Sequence, residues 1–137
     1  MPQIFKTKKN TYRLEINFGT IFKVTEKTGV DLLNPGFEVD GVTTSQALLY
    51  NPALLARVIM ALVKDDAQSD DDFLRELDGA AFKAAEAAFW EEYRFFFGRA
   101  GRQWLAVALG KELAEKQARA ADTARILSDL PAAPSLT

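Results

Sequence analysis

The segment that most limits the fold runs from Tyr12 to Leu33, YRLEINFGTIFKVTEKTGVDLL. It opens with alternation: Tyr12, Leu14 and Ile16 on one face, Arg13 and Glu15 on the other. A period of two is the mark of a half-buried strand. Ile4 to Thr7 form a similar run, separated from it by the polar turn Lys8-Lys9-Asn10. Together they predict a β-hairpin over about residues 3–17. Two strands alone are marginal in water, so their apolar face needs other elements against it.

Asn17 offers a side-chain acceptor to first-turn amides, which predicts a helix over about residues 18–28. Phe18, Ile21, Phe22 and Thr25 recur at helical spacing and give its expected apolar face. Lys27 sits in the last turn, and Gly29 supplies a left-handed stop that would let Val30 close on Val24. Asn34-Pro35-Gly36 breaks the chain.

Beyond this segment, Phe37 to Val42 fit either a small hairpin about Asp40-Gly41 or a loop. Thr43 with Gln46 forms a capping box, and Asn51-Pro52 starts a second helical stretch, covering about residues 44–63 in all. Ser69 with Asp72 predicts the start of a helix over about residues 70–97. Gly98 and Gly101 end it, and a last helix follows over about residues 102–127. Its apolar face thins to alanines after Leu113, so its end is expected to project or fray. Residues 131–137, rich in proline and small side chains, read as a disordered tail. The expectation is one domain, residues 1–130. Its class is α+β, predominantly helical, with the N-terminal β-hairpin packed against three to four helices.

Residue types narrow the chemistry. The chain has no cysteine and no histidine. Disulfides, thiolate zinc sites and cysteine nucleophiles are therefore excluded, and so are the commonest general base and metal ligand. The aspartates at 65, 66, 70, 71 and 72 lack the alternate spacing and glycine of a calcium loop. Gly98 to Arg102 is a basic, glycine-bearing loop, but it lacks the phosphate-loop lysine and follows a helix. Glu86, Glu91 and Glu92 have no placeable partner carboxylate. The expectation is a protein that is not an enzyme, with no cofactor and no metal. No apolar run reaches the ~18 residues of a membrane span, and no signal-peptide core is present, so a cytoplasmic location is expected.

Two features speak of partners. Phe89, Tyr93 and Phe96 share one face of the 70–97 helix, and Trp90 and Phe97 share another. A helix apolar on more than one side is either centrally buried or awaiting a partner, and burial is the plainer reading. The C-terminal third carries Arg94, Arg99, Arg102, Lys111, Lys116, Arg119 and Arg125. Interleaved Glu112, Glu115 and Asp122 make this a solvated face with internal pairs more readily than a nucleic-acid surface.

Leu14, Ile16, Asn17, Phe18, Gly19, Glu26, Lys27, Thr28, Gly29, Leu32 and Leu33 together resemble the opening of the tail assembly chaperones of long-tailed bacteriophages and prophages. A second piece, Asn51-Pro52-Ala53-Leu54-Leu55 into Ala61-Leu62, is similar to that family's proline-then-leucine-rich helix. The resemblance covers about residues 11–65. It implies a non-enzymatic chaperone in the bacterial host cell that binds the tape-measure protein and helps recruit tail-tube protein. On that reading the docking candidates are the stripe Leu54, Leu55, Val58, Ile59 and Leu62 and the face Phe89, Tyr93 and Phe96, contacted helix-in-groove. The alternative is a small helical adaptor or regulator. It would form a homo-oligomer through the aromatic helix and touch nucleic acid through Arg99, Arg102, Lys111 and Arg119.

Overall fold

A computed structural model describes residues 2–129. The tail expected at residues 131–137 lies outside the described residues. The N-terminal hairpin pairs β1 (Gln3–Lys6) with β2 (Thr11–Leu14) in antiparallel register, Phe5 opposite Tyr12. Its alternation is the one read from sequence. Leu14 and Ile16 are buried, Tyr12 is half-buried, and Arg13 faces water. β1 lies against α5 (Gly79–Arg99) and β2 against α3 (Pro52–Val63), so helices cover the apolar face that two strands cannot cover themselves.

Asn17 caps α1 (Phe18–Thr28) reciprocally. Its side chain accepts from the Thr20 amide at 2.9 Å, while the Thr20 hydroxyl accepts from the Asn17 amide at 2.9 Å. Gly29 adopts the left-handed conformation (φ 77°) and its N–H closes on the Thr25 carbonyl. The face that α1 buries differs from the one expected. Ile21 and Val24 are buried against α3, while Phe18 and Phe22 are 57% and 64% exposed. The branched side chains fill the core, and the phenylalanines flank it, Phe18 edge-on to Phe96 with ring centroids 5.6 Å apart. The exit at Leu32 is fixed by the buried Tyr93 hydroxyl, which donates to the Leu32 carbonyl at 2.6 Å.

Asp40-Gly41 does form a hairpin, between β3 (Glu38–Val39) and β4 (Val42–Thr43). Both turn residues have positive φ, 53° and 81°, the requirement of the tight turn that matches strand twist. Thr43 and Gln46 make the expected capping box for α2 (Thr44–Tyr50). Asn51 then ends α2 and caps α3, and the two helix axes turn by 104° at this corner. The 44–63 stretch is thus two helices. The 70–97 stretch is also two, α4 (Asp70–Glu76) and α5. The break is chemical: the Asp78 side chain accepts from the Ala81 amide and starts a new helix with Gly79 in its first position. Gly98 remains within α5, and the chain reverses at Gly101 (φ 77°) into α6 (Gln103–Asp129). The class is α+β and predominantly helical, as expected, with six helices among the described residues.

One surface cluster ties the hairpin to α4. Glu76 accepts hydrogen bonds from the Thr7 hydroxyl (2.7 Å), the Asn10 amide (2.8 Å), the Tyr12 hydroxyl (2.9 Å) and Gln68. Partial burial alone would raise the carboxyl pKa, but the four donors outweigh it and hold the group below the ordinary glutamate range. A depressed folded-state pKa contributes stability that is present above the unfolded value and lost as pH falls through the folded one. Glu76→Gln is therefore expected to lower the urea midpoint at neutral pH. The gap to the parent protein should close between about pH 5 and pH 3. A gap that stays constant across that window would show that the carboxylate charge contributes nothing.

Candidate docking surface

The structure places the predicted docking residues in the core. Leu55, Val58, Ile59, Leu62, Phe89, Tyr93 and Phe96 are buried, and Leu54 is half-buried. The correction has a simple cause. α5 is the central helix, with the hairpin along one side and α6 along another, so both of its aromatic faces are consumed at home. Phe89, Trp90, Tyr93 and Phe97 pack ring against ring at centroid distances of 5.1–6.0 Å. The α3 stripe is likewise enclosed by α1, the hairpin and α5.

One edge of this core reaches the surface near the start of α1, and other large apolar side chains, Trp104, Val107 and Phe37 among them, are exposed elsewhere. Phe18 stands between two clefts. One, of about 390 Å³, is lined by Ile16, Asn17, Phe96, Arg99 and Ala100 among others. The other, of about 370 Å³, is lined by Leu33, Asn34, Phe97 and Arg102 and shares Phe96 and Ala100 with the first. Phe22, one turn along α1, extends the exposed aromatic surface. Aromatic and arginine side chains beside clefts are the composition that carries most binding energy in protein interfaces.

The floor of the first cleft is built on a buried charge. Glu92 has no solvent exposure. One of its oxygens accepts from the Ile16 amide at 3.0 Å, and the other accepts from Arg99 at 3.3 Å. Arg99 also donates to the Ile16 carbonyl at 3.2 Å. The end of the hairpin, the entry to α1 and the end of α5 are thereby joined at one residue, Ile16. Neither the buried glutamate nor its use of a backbone amide was readable from sequence. Glu92 sits between Glu91 and Tyr93 as one more acid on a helix, and only its place in the aromatic register hinted at burial.

The remaining charged residues are dispersed. Glu86 pairs with Lys116 at 3.8 Å and Glu91 with Arg94 at 3.6 Å, so the three carboxylates of this helix serve three separate contacts. Of the cations named for nucleic acid, Arg99 is engaged with Glu92 and Arg119 donates to the Tyr50 hydroxyl at 3.2 Å. Arg102 lines the second cleft and Lys111 is exposed on α6. Among the described residues, no group of acidic side chains is placed to hold a metal ion. Asp65 instead accepts from the amides of Ala67 and Gln68, and Asp70 pairs with Lys64 at 3.2 Å. No single helix among the described residues is long and apolar enough to cross a membrane.

No protein-family model, characterised protein or solved structure matches this chain. The site therefore has to be read from its own geometry. Arg99→Ala would remove the charge-assisted hydrogen bond to the buried Glu92 carboxylate, a contact worth about 1.5–3 kcal/mol. Arg102→Ala, at an exposed position, is expected to change stability by less than about 0.5 kcal/mol. Urea unfolding of the two variants checks the contrast. Equal small losses would mean that Arg99 does not compensate the buried carboxylate.

Proposed function

We propose that this chain is a non-enzymatic binding protein of the tail assembly chaperone type, acting in a phage or prophage. It would hold a helical stretch of the tape-measure protein and bring tail-tube subunits to it. The observation that carries this reading is the exposed Phe18 between two clefts, with the exposed Phe22 one turn along, on the segment that bears the family resemblance. Phe18 spends one edge on Phe96, yet both phenylalanines stay more than half exposed. A partner helix laying apolar side chains into the flanking clefts would cover them. The Arg99 and Arg102 side chains at the rim would position that helix. The docking surface in this reading is the α1 edge and not the buried α3 stripe or the buried face of α5.

The test is co-expression with a helical fragment of the tape-measure protein encoded beside its gene. Phe18→Asp and Phe22→Asp are expected to abolish capture while leaving the circular dichroism spectrum unchanged, since both side chains already face water. Tyr93→Asp is expected instead to unfold the chain, because it places a charge in the core. Undiminished capture by both phenylalanine variants would overturn this assignment. Flanking DNA without virion genes would overturn the tail-assembly role itself.

A further inference from the structure

A second surface, independent of the α1 edge and of the tail-assembly reading, lies at the other end of the same helix. A groove of about 480 Å³ runs between the end of α1, the outer side of α3 and α4. Its floor is apolar: Met60 and Ala61 of α3 and Leu74 of α4, the last 41% exposed. Lys27 and Arg57 stand on its walls, both exposed. Among the described residues neither is within ion-pair distance of a carboxylate. The third cation, Lys64, is nearly buried and already used. Its ammonium donates to the carbonyls of Asp65 and Gln68 and pairs with Asp70.

The groove thus carries an excess of positive charge around an apolar floor, in a chain whose net charge is −2. Its own acidic side chain, Asp70, is neutralised by Lys64, so the two unmatched charges are Lys27 and Arg57. That pattern complements an amphipathic helix with an apolar stripe flanked by carboxylates. The stripe would cover Met60 and Leu74, and the carboxylates would reach Lys27 and Arg57 on either side. We propose that this groove docks an acidic amphipathic helix of a partner protein.

The probe is a labelled synthetic helix of about 20 residues, roughly 30 Å long, with leucine at i, i+3, i+4 and i+7 and glutamate at the flanking positions. Its counterpart carries lysine for each glutamate. Fluorescence anisotropy with the full chain should show saturable binding of the glutamate peptide, weakening as salt is raised. Lys27→Glu and Arg57→Glu should each weaken binding by about tenfold. Arg57→Gln should fall between, and the lysine peptide should bind worse than the glutamate peptide. Phe18→Asp should leave binding unchanged, which separates this groove from the α1 edge. Both cations are exposed, so circular dichroism of each variant is expected to match the parent. Equal binding of the two peptides, or equal binding by parent and Arg57→Glu, would overturn the proposal. So would a concentration-dependent dimer in sedimentation that Arg57→Glu dissolves, because the groove would then belong to a second copy of the chain.

Discussion

A carboxylate that no water reaches must be answered by donors, and the arrangement around Glu92 follows from that requirement. Its two oxygens take the Ile16 amide and the Arg99 guanidinium, and Arg99 reaches on to the Ile16 carbonyl. Ile16 has just left β2 and has not yet entered α1, so its backbone groups have no partner in either element. Glu92 and Arg99 supply both. Because they lie seven residues apart on one helix, α5 itself dictates where the hairpin ends and where α1 begins. Everything exposed at the α1 edge inherits its position from this contact.

The local grammar of the chain was plain in its residues. Asn17, Thr43, Asn51 and Ser69 each cap the helix they precede, and Gly29 ends α1 in the left-handed conformation. These are interactions between residues three or four apart, and sequence spacing reports them directly. The break at Asp78-Gly79 was also of this kind. An aspartate with glycine after it could have signalled a new helix start, but the continuous apolar pattern from Phe73 to Phe82 masked it.

What sequence could not convey was which surface each helix turns inward. Phe18 and Phe22 have the spacing of a core face, yet Ile21 and Val24 take that role. The choice depends on α3, which lies far along the chain. The same limit applies to the aromatic helix. Five rings on two faces favour a buried centre over a docking surface without deciding it, and the positions of β1 and α6 decide for the centre. Burial is settled by long-range packing, which periodicity does not encode. The functional consequence is direct: the residues richest in apolar character serve the fold, and the surface available to partners is made of what the core leaves over.

The corner at Asn51 has its own consequence. One residue finishes α2 and begins α3, so the chain turns by 104° with no loop between them. There is no slack to absorb a change of length. One residue added within the first turn of α3 would rotate every later side chain of that helix by about 100°. Leu55 and Ile59 would swing to the half-buried directions that Ala56 and Met60 now hold, and Arg57 would turn into the buried direction of Val58. The stretch from Lys64 to Ser69, by contrast, is irregular and mostly exposed, and could take up such a change. Sequences that share this fold should therefore vary in length there and keep the corner invariant in length.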